Sequence, residues 1–365
     1  MLNCVGVQVE TVSMTGREGE PTASTTVLVI GGGATGTGVA RDLALRGVDV
    51  MLVDRGGLAG GTSGRSHGLL HSGARYAGSD PSGARECIEE RRILGEIASG
   101  CIRETDGIFL QLTRDAPGCF ERKREACEAV GIGTESLDHE AVRRLVPGIT
   151  DDLEGAFRVP DGVVHPSRLV AATAADAADR GATIQTHAPV EDCTVRPGRI
   201  ECVRIGGAFD GEIKPEFVVN AAGAWAGQVA SMAGVNVEMA PTRGVMVSVA
   251  CEGVPPVLNR CREPADGDIV VPHDDEVVLG TTSTLVDDPD DRTCPQESIE
   301  TCIQECAAML PVVANAEIKR TWSGVRPLHA PDELGTDRRG ISRDSSEWTT
   351  PRTVSRTWSA SSAES

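Results

Sequence analysis

An α/β architecture, a Rossmann-type nucleotide-binding domain interleaved with a β-rich second domain, is predicted by three observations in this 365-residue sequence. The apolar run Val27-Leu28-Val29-Ile30 leads straight into Gly31-Gly32-Gly33-Ala34-Thr35-Gly36. A second apolar run, from Val48 to Val53, ends on Asp54. The stretch from Val235 to Gly280 is rich in β-formers and punctuated by Pro-Pro and Asp-Gly turns, as an antiparallel sheet would be. Short runs that are apolar at nearly every position suit parallel strands covered on both faces. Between them, Val39, Leu43 and Leu45 fall on a helix that opens at the glycines, which completes one βαβ unit.

Beyond this unit, residues 84–97 read as a charged amphipathic helix and 108–112 as a strand. Residues 166–180 form an Ala-rich helix, 201–205 and 216–220 two strands, and 297–310 a helix closed by Pro311. A chain of this length exceeds one ordinary core. The division expected is a disordered leader over 1–24 and a nucleotide-binding domain over 25–100, 160–235 and 318–344. A substrate or cap domain takes 101–159 and 236–317, and a Ser-, Thr- and Arg-rich disordered tail takes 345–365.

The formal net charge of -19 sets nucleic acid and anionic lipid aside as direct partners, because both would be repelled. Lys123, Lys214 and Lys319 are the only lysines among 35 basic residues, and the acidic excess fits a high-salt cytoplasm. The 12 cysteines include no Cys-x-x-Cys pair and no His/Cys set at zinc spacing, so no metal site is predicted. Cys302 and Cys306, four apart on the last predicted helix, are read as reduced core thiols. With no signal peptide and no run of ~20 apolar residues, the expected location is cytoplasmic, with membrane contact only through a partner.

The glycine loop carries the first chemistry. Gly31 permits the tight turn, Gly33 leaves room for a pyrophosphate, and Gly36 lets helix and strand approach. The helix N-terminus offers N–H groups to negative charge, and Asp54 is placed to accept from ribose hydroxyls.

The next stretch of chain distinguishes a flavin from a nicotinamide cofactor. Gly60-Gly61-Thr62-Ser63-Gly64-Arg65-Ser66-His67-Gly68 and His71-Ser72-Gly73-Ala74-Arg75-Tyr76 resemble a segment of the FAD-dependent glycerol-3-phosphate dehydrogenases. The likeness recurs in Val218 to Trp225, Trp322-Ser323-Gly324-Val325-Arg326-Pro327-Leu328 and Ile341-Ser342-Arg343-Asp344. Asn259 to Pro272 and Gly280 to Ser283 are similar to the catalytic A subunit of the anaerobic type.

The resemblance implies FAD, held by Gly31, Gly33, Gly36, Asp54, Thr62, Ser63, Ser66, Ala222 and Gly223. It implies oxidation of sn-glycerol 3-phosphate to dihydroxyacetone phosphate, with the C2 hydride passing to flavin N5. Arg326 and Arg343 match the family's phosphate-binding positions, and Arg75 and Tyr76 complete the pocket. His67 and His71 are both candidates for the proton, and either alternatively hydrogen-bonds the cofactor. Met246 stands where some aerobic relatives carry a histidine, and His273 and His329 are read as structural or exposed. Partner subunits B and C, passing electrons to quinone at the inner face of the membrane, are further implications. After Asp344 the family's Gly-Gly-Lys-Leu-Thr-Thr-Tyr-Arg segment is not found, which implies a C-terminally truncated chain. An amine or amino-acid oxidase of the same superfamily, and a catalytically dead FAD-binding remnant, are the alternative readings.

Overall fold

The computed structural model describes residues 22–328, so Cys4, His329, Arg343 and the tail 345–365 lie outside the described residues. Two compact units are built from interleaved segments. The first takes 22–64 and Pro166–Met239, and the second takes Arg65–His165 and 240–328.

The first unit is a six-stranded sheet. Its order is Val190–Arg196, Arg199–Ile205, Gly211–Asn220, Ala23–Ile30, Val50–Val53 and Thr183–Gln185. Ala23–Ile30 pairs in parallel with both of its neighbours, and Val50–Val53 pairs in parallel with Thr183–Gln185. The other two strands add an antiparallel meander. Alternation along the central strand explains its continuous hydrophobicity. Val27 and Val29 pack with Ala40, Ala44, Val50, Leu52 and Ala177, while Leu28 and Ile30 face Val203, Ile205, Ile213 and Val229. Both faces are therefore buried, as a parallel sheet requires. The helices Ala34–Leu45 and Pro166–Asp179 are joined by an Arg41–Asp176 ion pair.

The second unit centres on a larger, mostly antiparallel sheet. Thr242–Ala250 is bordered on one edge by Ile318–Arg326 and on the other by Glu276–Gly280 and Thr284–Leu285. The order continues through Ile269–His273, Val257–Arg260, Gly107–Leu112 and Leu153–Val159 to Glu135–Leu137. One face buries Val245, Val247 and Val249 under the helix Gln296–Ala307. The other face presents Met246, Ile269, Val271 and Val278 to Leu69, Val163 and Trp322. Phe109 and Phe157 stack with ring centroids 5.2 Å apart beneath the helix Cys119–Ala129.

Two sequence expectations are corrected. Order begins before Val27: the first strand starts at Ala23, so Ala23 and Ser24 leave the predicted leader and register with Ile213 and Lys214. Residues 65–100 and 318–328 belong with the second unit, not with the nucleotide-binding domain. The cause is hydrogen bonding, since Leu69–Leu70 pairs with Gly162–Val164 and Ile318–Arg326 pairs along the length of Thr242–Ala250.

A buried ion network knits the second unit. Arg260 donates from Nε and Nη2 to Asp115, and from Nη1 to Glu305 at 2.9 Å. Arg260 and Asp115 side chains are only 4% and 3% exposed. Removing one partner strands a charge, so Asp115→Ala is expected to destabilise the unit by about 3–5 kcal/mol in chemical denaturation. A loss below ~1 kcal/mol would show that Glu305 and water compensate fully.

The thiols behave as core residues. Burial pushes Cys302 and Cys261 up to about 12, and Cys306 well above its ordinary value. Native protein treated with iodoacetamide near pH 8 is expected to be alkylated at the partly exposed Cys87, Cys202, Cys251 and Cys294, not at Cys302 or Cys306. Mass spectrometry of the labelled peptides reads the result.

Candidate functional site

At the C-terminal end of Ala23–Ile30 the chain turns through Gly31, whose φ of +116° is a conformation that favours glycine. A Cβ at Gly31 would lie 2.3 Å from the Ala221 carbonyl oxygen, and one at Gly36 would lie 1.8 Å from the Gly31 oxygen. Neither position has room for any side chain. Gly33 caps the helix Ala34–Leu45, and a Cβ there would meet only the Ser63 Oγ, at 3.1 Å. The helix therefore begins directly beside a side-chain-free loop, the arrangement that suits a pyrophosphate. Ser63 Oγ accepts from Ala34 N–H at 2.9 Å, which folds the Gly60–Ser63 segment over that terminus. Thr62 precedes the short turn Ser63–Arg65, and Ser66 follows it.

Asp54 stands at the end of Val50–Val53 and fixes the loop. Its Oδ2 accepts from Gly32 N–H at 2.6 Å, and Oδ1 accepts from Gly56 N–H at 2.7 Å. Each oxygen keeps a second lone-pair direction, so the carboxylate can hold the loop and accept from a ribose at once. The third wall is the turn after Gly211–Asn220. Buried Asn220 accepts from Ala222 N–H at 3.2 Å and donates to the Ala226 carbonyl at 2.8 Å, which positions Ala222 and Gly223. Sequence reading missed Asn220; an amide ending a buried strand was the available signal. The cradle fits a dinucleotide, because side-chain-free positions and helix N–H groups coincide where the phosphates belong. A cavity of about 600 Å³ lined by Ser24, Asp49, Arg199 and Lys214 sits instead at the start of the strands, away from the glycine loop.

The remaining candidates belong to the second unit. His67 Nδ1 accepts from Leu69 N–H at 3.1 Å, so the neutral ring carries its proton on Nε2 and presents a donor there. His273 Nε2 contacts the His67 carbonyl at 2.9 Å. The His71 ring centroid is 5.6 Å from Tyr76 and 6.4 Å from His67. Arg75 pairs with buried Asp268 at 3.4 Å, and Arg262 shares the same carboxylate. Burial raises the Asp268 pKa, opposed first by the Arg75 charge.

Arg326 is held differently. It donates to the Thr282 carbonyl and the Thr281 hydroxyl, both at 3.2 Å. These two oxygens help to orient the guanidinium. Gly244 makes the arrangement possible, because a Cβ there would lie 2.4 Å from Thr281 Oγ1 and 2.8 Å from Arg326 Nη2. Thr281 and Gly244 were not singled out as site residues from sequence. Met246 is 3% exposed in the apolar face of the sheet and so does not serve as a base. Among the described residues no group of three or more His, Cys, Asp or Glu is arranged to hold a metal ion, and no helix is long and apolar enough to cross a membrane.

Comparison with known proteins matches residues 26–348 to the family described as FAD dependent oxidoreductase. The chain is 46% identical over 326 residues to the A1 subunit of anaerobic glycerol-3-phosphate dehydrogenase from Haloferax volcanii, covering 86% of this chain and 56% of that protein. It is 42% identical over 327 residues to the A subunit of the Escherichia coli anaerobic enzyme, covering 87% and 60%. It thus spans little more than half the length of these relatives. Glycine oxidase from Geobacillus kaustophilus superposes with a TM-score of 0.78 at 23% identity, over 94% of this chain and 90% of that one. At that identity the likeness establishes the fold alone.

The cradle generates a direct expectation. Gly36→Ala forces a methyl against the Gly31 carbonyl and should lower nucleotide-cofactor affinity by at least about tenfold, ~1.4 kcal/mol. Cofactor content per purified chain, measured after denaturing release, checks it. Retention equal to the parent would mean that Gly36 is not part of the cofactor seat.

Proposed function

Because the chain belongs to the FAD-dependent oxidoreductase family, we propose that it binds FAD and oxidises sn-glycerol 3-phosphate to dihydroxyacetone phosphate. The substrate reading is carried by the 46% identity to a protein named for that activity. When bound, FAD supplies the two-electron acceptor that oxidation of a secondary alcohol requires. Gly31, Gly33, Gly36 and the N-terminus of Ala34–Leu45 would hold its pyrophosphate and Asp54 its ribose, with Thr62, Ser63, Ser66, Ala222 and Gly223 as further FAD-binding residues.

The chain's own side chains then divide the substrate work. Arg326, oriented by Thr281 and Thr282, receives the phosphate, with Arg343 as a second cation from outside the described residues. His71 takes the proton of the C2 hydroxyl, since His67 already uses Nδ1 as an acceptor and offers only an N–H at Nε2. Tyr76 flanks His71, and Arg75 stays tied to Asp268 as a fixed wall of the pocket. The relatives are named as A subunits, which supports partner subunits, B and C, that carry the electrons onward to quinone.

The decisive experiment is the absorption spectrum of the purified chain in high-salt buffer without oxygen. A band near ~450 nm that bleaches with sn-glycerol 3-phosphate supports the reading. Bleaching by glycine or another amino acid, with none by glycerol 3-phosphate, overturns it in favour of an amine oxidase. A flavin band that nothing bleaches marks a cofactor-binding remnant. For the phosphate site, Arg326→Ala removes a charge-assisted contact of about 1.5–3 kcal/mol, so substrate Kd should rise about 10- to 100-fold. Arg326→Lys should fall between the two, because a lysine keeps the charge and loses the fork. Titration of the flavin spectrum with substrate measures all three.

A further inference from the structure

We propose that Asp161 is a positioning residue that holds the His71–Tyr76 segment in place by clamping Ser72. The proposal rests on the reading of His71 and Tyr76 as substrate-side groups. Asp161 Oδ1 accepts both from Ser72 N–H at 2.8 Å and from Ser72 Oγ–H at 2.7 Å. Its Oδ2 accepts from Asn259 Nδ2 at 3.2 Å. Ser72, Asp161 and Asn259 are 0%, 2% and 1% exposed, so no water competes for these bonds. Three separate elements meet here: the turn before Gly162–Val164, the strand Val257–Arg260, and the loop after Leu69–Leu70.

The surroundings are shaped for a carboxylate. A Cβ at Gly107 would lie 2.4 Å from Asp161 Oδ2, so a glycine stands there and leaves the space. Arg91 donates to the Asp161 main-chain oxygen at 3.3 Å, which fixes the backbone behind the side chain. Burial raises the Asp161 pKa, against the pull of the Ser72 and Asn259 donors and the Arg91 charge. Ser72 is the residue next to His71, and the turn that follows it closes through Tyr76 N–H to the Gly73 carbonyl at 2.9 Å. A shift at Ser72 therefore moves the His71 and Tyr76 rings together, while Arg326 is held from other strands.

Donor and acceptor polarity supplies the test. Asp161→Asn sets its NH2 against the Asn259 NH2 unless the Asn259 amide turns over, whereas Asp161→Ala removes both acceptors outright. The double variant Asp161→Asn/Asn259→Asp reverses the polarity of the pair and restores every hydrogen bond: the introduced amide accepts from Ser72 and donates to the introduced carboxylate. Tyr76 is the only tyrosine in the sequence, so meta-fluorotyrosine labelling gives one fluorine NMR line that reports this segment without cofactor or turnover. The Tyr76 line should move or broaden in Asp161→Ala, and any displacement in Asp161→Asn should return to the parent position in the double variant. An unmoved line in folded Asp161→Ala overturns the proposal, as does a line displaced in Asp161→Asn that fails to return in a folded double variant. If Asp161→Ala does not fold, Ser72→Ala, which removes one donor and keeps the N–H, decides in its place, and an unmoved line again overturns it. Where the flavin is reduced by substrate, the rate per bound flavin should fall about 100-fold in Asp161→Ala with substrate Kd little changed. Should glycerol 3-phosphate prove not to be the substrate, the fluorine line still judges the clamp.

Discussion

Backbone lies directly on backbone where the strand Ala23–Ile30 ends, and the nucleotide cradle depends on that contact. Gly31 runs against the Ala221 carbonyl, and Gly36 runs against Gly31, at separations that exclude even a methyl group. The close approach lets Gly211–Asn220, Ala23–Ile30 and the helix Ala34–Leu45 converge, so that loop, helix terminus and the Asn220 turn share one small volume. Asp54 then holds the loop with two main-chain hydrogen bonds, which makes the cradle rigid before any ligand arrives. A preformed site of this kind avoids part of the ordering cost of binding.

The second unit solves a different problem, that of setting polar side chains on a sheet whose core is apolar. Its strands alternate strictly, with Val245, Val247 and Val249 on one face and Met246 on the other, so the hydrophobic work leaves few positions for chemistry. The candidate site residues collect where strands end or break. Thr281 follows Glu276–Gly280, Arg326 ends Ile318–Arg326, and Ser72 and Asp161 sit in connecting turns. Each is fixed by a hydrogen bond to another element, which compensates for the looseness of a turn.

The glycine loop, its flanking strands and Asp54 were legible in the sequence because local backbone demands select residue types at fixed spacing, whatever surrounds them. The Arg326 segment stood out only through family resemblance, since a lone arginine carries no pattern, and its role is a proposal. Domain boundaries were misplaced for a physical reason. Residues 65–76 come soon after the glycine loop in sequence, yet their hydrogen bonds go to Gly162–Val164 and Asp161, partners about ninety residues away that periodicity does not reveal. Asp161, Asn220 and Asn259 escaped for the same cause: a buried polar residue acquires its role from a partner distant in the chain. The early start of the first strand, at Ala23, comes from pairing with Ile213 and Lys214, which rescues a polar stretch with no apolar run of its own.

Charge gives the last constraint. A chain with a formal charge of -19 offers no long-range attraction to an anion, and in concentrated salt no such attraction would persist, because the screening length falls to about 3 Å at 1 M. Recognition of an anion must then be entirely local, by guanidinium groups set at hydrogen-bonding distance from the ligand. The second unit sorts its arginines accordingly. Arg260, Arg262, Arg243 and Arg75 face carboxylates and are consumed in holding the fold. Two of the hydrogen bonds of Arg326 go instead to a hydroxyl and a carbonyl. A neutral oxygen can orient a guanidinium without opposing its charge, so these two contacts are compatible with the anion-binding role proposed for Arg326.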